Sequence, residues 1–432
     1  MKRTLLTLIA VLFIGMAFAQ NRPYDKNGLN VFEARKSDSV NFDGVKVKIG
    51  GAFTQSWQNL KDSHDFVPVP VTGADPNKLI VLNPGFNTAN ANMYFDVQLG
   101  DGMSLNLTSY LSARHHNETW VKGGYIQFDK FPFLHSAFFD NLMKYATLKV
   151  GHMEINYGDA HFRRSDNGSA IYNPFADNNI MDEFTTEIGF EVDVQHNGLL
   201  AVAGVTNGEI KGDEVKGTPY TGASDGKHHP AFIGKIGFDK QLAENIRLRV
   251  TGSGYYTAGS ISNTLLGGDR GGSAYFYVIE KANTTSEAFS GRFNPGYSDK
   301  IGALMGNIFL KAGGLEWFTT LETVKGRAKA ELISRKSTQF VSDLVYRFGS
   351  SENFWIGARY NTVKSSLLTA PTATTSYDVK LNRTAFSAGW FVTKNIMMKG
   401  EYVTQNYDGF LASDIRSNAK FHGVVIQAVV GF

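Results

Sequence analysis

The stretch Phe421–Phe432, FHGVVIQAVVGF, decides the fold. Counting back from the last phenylalanine, Val430, Ala428, Ile426 and Val424 are all apolar, while Gly431, Val429, Gln427, Val425 and Gly423 between them form a more mixed row. Alternation of period two describes a strand with two unlike faces rather than an amphipathic helix. Chain ends usually fray unless a sheet or a packed helix ties them down. A strand pattern that runs into the final residue predicts that this end is needed in a sheet.

The opposite end reads MKRTLLTLIAVLFIGMAFAQ. Lys2 and Arg3 precede an apolar run from Leu5 to Phe18, and Ala17 and Ala19 take the small-residue positions before a cut. Residues 1–19 are therefore expected to be a secretory signal peptide, cleaved after Ala19. The run is short of the roughly 20 residues that a spanning helix needs, and no later segment supplies them. The chain has no cysteine, which excludes a lipoprotein-type lipid anchor, disulfides, thiolate metal sites and cysteine nucleophiles. Its formal charge of +3 falls to near neutrality without Lys2 and Arg3, so no strong field draws nucleic acid. A large exported enzyme would still fit these numbers. The strand pattern decides against it.

Alternating segments recur through most of the chain. In VKVKIGGAFTQSW, Val45, Val47, Ile49, Phe53 and Trp57 share one face, and Lys46, Lys48, Thr54 and Ser56 share the other. The segments ANMYFDVQL and MSLNLTSYL meet at Gly100-Asp101-Gly102, a hairpin signal. WVKGGYIQFD, ATLKVG, TEIGFEVDVQ, LLAVAGV, AFIGKIGFD and IRLRVTGSGYY follow. The second half adds IGALMGNIFLK, LEWFTTLETV, TQFVSDLVYRF, FWIGARYN, LNRTAFSAGWF, IMMKGEYVTQN and the terminal strand.

If the first strand runs outward, the odd connections are long: 59–90, 112–119, 152–183, 207–229, 259–300, 327–337, 364–377 and 407–418. The even ones are tight turns except 130–145, which reads as a short helix on the inner side. SAYFYVIEK (273–281) has strand character, but as a single addition it would break this rhythm, so it is assigned to the fifth outer loop. Long loops on one side and short periplasmic turns on the other describe an all-β, transmembrane antiparallel β-barrel of about 16 strands, over residues 42–432. In hydrocarbon every backbone polar group needs an internal partner, so such a sheet must close and pair its last strand with its first. A soluble β-sandwich also alternates, but seldom sustains this loop asymmetry. Trp57, Trp120, Trp317 and Trp390 fall near strand ends on the apolar face, as an aromatic belt requires, whereas Trp355 has the opposite parity. The expected location is the bacterial outer membrane, with its lipid as the first partner.

A sixteen-stranded barrel is wide enough for an aqueous channel. Parity turns Lys46, Lys48, Lys235, Arg247, Arg249, Lys311, Arg347, Arg359, Arg383 and Lys399 inward, together with Asp96, Glu187, Glu191, Asp193, Glu316, Glu322, Asp343 and Glu401. Most of these are expected to pair across strands. By its position the third outer loop (152–183) is similar to the third loop that folds inward and makes the constriction in general porins, which makes it the candidate constriction; fixed charges act most strongly where a pore is narrow and partly desolvated. It carries His152, His161 and the adjacent Arg163 and Arg164. Alternatively, the loop lies outside with its arginines paired to Glu154, Asp159 or Asp166. Small hydrophilic solutes, with a mild preference for anions, are the expected cargo.

The runs LKVGHMEINYGD and EIGFEVDVQHNGLLAVAGVTNGE, with AFIGKIGF and KGEYVTQNYDG, resemble the phosphate-selective porin O and P family of bacterial outer membranes. The resemblance implies a sixteen-stranded homotrimeric porin that passes anions. That family depends on a dense arginine ladder and channel lysines, whereas here the basic residues are scattered among acids. A terminal strand ending in Phe also resembles the signal read by the outer-membrane barrel-assembly machinery.

No serine–histidine spacing nominates a catalytic pair, so no enzyme activity is expected. The adjacent pairs His115-His116 and His228-His229 do not converge on one ion, and the acids of the third loop lack calcium-hand spacing, so neither metal nor cofactor is expected. GGDRGGS lacks the lysine and helix of a phosphate loop. Residues 20–41 are read as a periplasmic tail or a small plug. With a plug, the chain becomes a binding or scaffold barrel, an adhesin or a partner of secretion machinery, rather than a channel.

Overall fold

The computed structural model describes residues 33, 36, 42–65, 78–112, 118–163, 170–171, 173–218, 222–269, 271–282 and 290–432. They form one antiparallel sheet that closes on itself. Its strands are β1 (Lys46–Ser63), the two-residue β2 (Gly85–Phe86), β3 (Asn90–Gly100), β4 (Met103–Ser112), β5 (Glu118–Phe128) and β6 (Ala146–Glu154). After them come β7 (Thr186–His196), β8 (Leu199–Thr206), β9 (Ala231–Ala243), β10 (Ile246–Thr257), β11 (Ile301–Ala312) and β12 (Leu315–Gly326). The last are β13 (Arg335–Phe348), β14 (Phe354–Leu368), β15 (Ser376–Thr393), β16 (Ile396–Asp408) and β17 (Lys420–Gly431). Without β2, sixteen strands run round the wall in chain order. Residues 273–281 form no strand: 276–279 make a turn inside the fifth outer loop, and Lys281 makes a single bridge to Leu79.

The seam explains the terminal strand. β1 is long and serves two partners: its first half pairs with β3, from Lys46 opposite Gln98 to Thr54 opposite Asn90. Its second half pairs with β17, from Ala52 opposite Gly431 to Ser63 opposite Lys420. This stagger is the shear that a closed, tilted barrel requires. Beyond the last ladder residue, Phe432 N–H donates to Gly51 O at 2.9 Å and Gly51 N–H donates to Phe432 O at 3.0 Å. The Phe432 ring lies over Gly51, where an added Cβ would come within 2.9 Å of it.

Period two fixes the two faces. Val45, Val47, Ile49, Phe53, Trp317, Trp390, Val424, Ile426 and Phe432 are exposed on the outside, while Thr54, Ser56, Gln58, Gln427 and Trp355 are buried inside. The Trp120 side chain lies outside the described residues. The outer face is apolar and aromatic, as a lipid-facing barrel wall should be, and among the described residues no helix is long and apolar enough to cross a membrane.

Inside, the barrel is packed as well as wet. The described residues of the third outer loop (155–185) and of the fifth (258–300) fold into the lumen. Phe175, Ile180 and Met181 of the third meet Leu265, Leu266, Tyr275, Val278 and Phe293 of the fifth, with Val345, Val363, Val403, Val425 and Val429 of the wall beneath them. The loops also bond each other: Phe184 N–H donates to Leu265 O at 2.8 Å and Phe293 N–H to Ile180 O at 2.7 Å.

Candidate functional site: the loaded lumen

A loop inside a barrel must find partners for its backbone groups, because desolvated N–H and C=O groups are costly when unpaired. The inward rows of β10–β16 supply them. Ile180 N–H donates to Asn361 Oδ1 at 2.7 Å and Met181 N–H to Gln339 Oε1 at 3.0 Å. Asp159 N–H donates to Asn307 Oδ1 at 3.0 Å and Ala176 N–H to Glu401 Oε2 at 2.8 Å. Lys399 Nζ donates to the carbonyls of Ala170, Asn173 and Phe175 at 3.3, 2.9 and 2.5 Å.

The arginines stand in two groups on the same half of the wall. In the first, Arg163 from the third loop reaches Glu316 at 2.8 Å and lies 3.8 Å from Asp343. Arg347 pairs with Glu316 at 2.7 Å, and Arg359 grips Asp343 through two bonds of 2.7 Å. Arg359 also stacks over Phe175 at 4.2 Å, and Arg163 over Phe318 at 5.3 Å. Burial lowers the Arg163 pKa from its ordinary value, with Glu316 and Asp343 opposing. Its Nε and Nη1 have no hydrogen-bond partner among the described residues. Arg163 borders a cavity of about 10 Å³, lined also by Asn178, Asn179, Asp182 and Arg359, which is room for a single water.

In the second group, Asp159 takes Arg249 at 2.8 and 2.9 Å, Lys235 at 3.1 Å and the Thr251 hydroxyl at 2.7 Å. Glu33, from the segment before the barrel, joins them at 2.7 Å from Arg249 and 3.1 Å from Lys235. Burial pushes the Glu33 carboxyl up, but Lys235 and Arg249 outweigh it and bring its pKa down to about 2. The same balance, led by Arg249, holds Asp159 well below the usual carboxylate range. Lys36, the other described residue of that segment, reaches Asp129 at 3.2 Å at the base of the barrel. Glu33 is thus inside the lumen.

Arg383 is only 1% exposed, bonded to Gln405 at 2.6 Å and to the carbonyls of Asn178 and Gly291 at 2.8 and 2.6 Å. Arg247 holds Asp239 at 3.0 and 2.9 Å. His161 is buried in the turn that carries Arg163, and Arg164 lies outside the described residues. Lys46 and Lys48 sit apart from these groups, half-buried on β1, with Lys46 on Asp43 at 2.5 Å and Lys48 opposite Asp96. Around them, Tyr94, Asp96, Asn106, Thr108 and Tyr125 are also half-buried and inward. The lumen therefore has two unlike sides: a dry, paired side on β9–β16 under the loops, and a polar, partly water-exposed side on β1 and β3–β5.

Parity identifies which side chains face inward but not which of them the loops cover. Glu33, Asp159, the fifth loop and Asp177, which accepts from the Ser273 hydroxyl at 2.7 Å and lies 3.8 Å from Arg383, were missed as parts of this arrangement. The apolar run SAYFYVIEK carried the signal, since a loop bathed in water has little use for Tyr275, Phe276, Val278 and Ile279. Within the third loop, Glu183 accepts from Gln339 Nε2 at 2.5 Å. Burial, and then the charge of Glu322 beside it, push the Glu183 pKa well above its ordinary value.

The architecture is similar to those of several solved outer-membrane proteins. The anion-selective porin from Comamonas acidovorans superposes with a TM-score of 0.53 at 10% identity, covering 90% of this chain and 100% of that one. OmpT, an outer membrane protein of Vibrio cholerae, gives 0.51 at 10% identity over 91% and 99%. The outer membrane channel DcaP of Acinetobacter baumannii gives 0.50 at 10% identity over 90% and 98%. No protein-family model matches the sequence, and no curated protein is similar to it in sequence. At these identities the likeness concerns the fold: a closed, sixteen-stranded β-barrel of the bacterial outer membrane.

Proposed function

We propose that the chain is an outer-membrane porin that passes small hydrophilic solutes by diffusion, along the side of the lumen lined by β1 and β3–β5. The observation that carries this reading is the division of the lumen. The loops cover the arginine-rich wall, while Lys46, Lys48, Tyr94, Asp96, Asn106 and Thr108 keep partial exposure to the interior. Polar side chains that keep contact with water suit solutes that carry water with them.

A mild anion preference belongs to the same proposal; Arg163 lies on the covered side beside a cavity with room for one water, so its charge acts on the solute path from a distance and not as a binding site. The pairing of Arg249, Arg347, Arg359 and Arg383 gives no support to phosphate affinity, because none of these guanidiniums presents a vacant fork. A homotrimer is the assembly that the resemblance to the porin O and P family implies. Chemical crosslinking in detergent tests it, with a three-chain band expected.

A second reading has its own observation. Glu33 is locked between Lys235 and Arg249 inside the lumen, so the segment before β1 acts as a plug and the barrel as a scaffold. Planar-bilayer recordings separate the two. Discrete conductance steps that grow with salt support the porin. A silent full-length barrel that conducts only after Glu33→Ala supports the plug.

A further inference from the structure

Seven connections close the inner rim, and six are tight turns: 101–102, 197–198, 244–245, 313–314, 349–353 and 394–395. The seventh, 129–145, holds a 3₁₀ turn (Pro132–Leu134) and a short helix (Ala137–Leu142). At 3.6 residues per turn this helix and its next residues have three faces. Phe139 and Met143 turn toward the protein, where Met143 is buried. Asp140, Asn141 and Lys144 make a polar face. Phe138 and Leu142 make an apolar face that nothing covers, 70% and 44% exposed. Phe133, Leu134 and Tyr145 add exposed apolar surface beside it.

We propose that this connection is a foot embedded in the headgroup boundary of the inner, phospholipid leaflet. The argument for lipid is continuity. Phe128 shares the outward parity of Ile126 at the end of β5, and from it a chain of rings runs downward. Phe128 to Phe131 is 5.5 Å, Phe131 to Phe139 5.9 Å and Phe139 to Phe138 5.3 Å. The patch therefore extends the lipid-facing row past the strand end without a change in chemistry. Aromatic residues favour the depth of the headgroups, and an amphipathic helix lies there with its polar face toward water. The backbone is anchored for that role, since Gln195 N–H donates to Tyr145 O at 2.9 Å and Asp129 N–H to Gly102 O at 2.7 Å. A foot at one point of the rim would set the height and tilt of the barrel in the bilayer.

Because the chain has no native cysteine, Phe138→Cys and Lys144→Cys each give a single labelling site. Each variant carries an environment-sensitive fluorophore and is reconstituted in phosphatidylethanolamine–phosphatidylglycerol vesicles, after its heat-modifiable gel migration has been matched to the parent. The label at 138 should be quenched strongly by lipids carrying a nitroxide near the headgroup and weakly by aqueous iodide, and the label at 144 the reverse. Equal iodide access at both positions overturns the proposal. Protection of 138 from both quenchers overturns it equally, and disulfide-linked Phe138→Cys chains would then assign the patch to a second copy.

Discussion

Glu316 takes Arg163 from the loop and Arg347 from the neighbouring strand at once. Removing one member of a buried ion pair leaves the other charge uncompensated, at about 3–5 kcal/mol. Glu316→Gln should therefore leave two guanidiniums short of a counter-charge and shift the reversal potential under a KCl gradient toward anions. Arg163→Gln should shift it the other way, and both shifts should shrink as ionic strength rises. Unchanged reversal potentials in both variants would show that the charges of the covered side do not act on the conduction path. Glu183 gives a prediction with a definite sign. Its folded pKa lies above the unfolded value of about 4.3, so the folded state keeps a proton that the unfolded chain has lost. Stability should then fall as pH rises through that interval. Glu183→Gln should flatten the decline, read as the temperature at which the gel-mobility shift is lost at about pH 5 and about pH 8. Parity made the inward position of Glu316 and Arg347 legible, as it did that of Lys235, Arg249 and Arg383. The partners of the last three were not legible, because Glu33, Asp159 and Asp177 reach them from segments far away in sequence.

Among the elements, the strands were the legible part, and the physical reason is the two-sided environment. Lipid outside and polar or loop-covered space inside impose period two on every spanning segment, and turn residues mark the inner rim. The infolding of the loops was less legible, because a loop has no period to betray the direction it takes. What holds the third loop is the wall, and above all Lys399, whose ammonium takes three carbonyls of residues 170–175. Hydrogen bonds to a charged group contribute about 1.5–3 kcal/mol each. Lys399→Met should loosen this loop while the barrel remains closed. The expected readout is faster proteolysis within 170–185 and noisier, larger conductance steps, with the gel-mobility shift retained. Conductance and proteolysis indistinguishable from the parent would show that the packing of Phe175, Ile180 and Met181 suffices.

For the whole molecule, closure is the property that the terminal strand made legible, and the stagger of β1 is the part the sequence did not display. Deleting Phe432 removes both hydrogen bonds to Gly51 and the ring above it. The fraction of protein with heat-modifiable migration should drop, and Gly51→Ala, which crowds the same ring, should lower it less. Full yield from both would make the last residue incidental to closure. The divided loyalty of β1 also bears on the time course of assembly. One half of β1 has its partner β3 close by in the chain, but the other half must wait for the last strand. Contacts between residues so distant in sequence are reached slowly. During that wait the upper half of β1 is a bare strand edge, open to the wrong neighbour. The rate of barrel maturation in this protein should therefore be set by one late zipping event at a single seam, not by the number of hairpins that precede it.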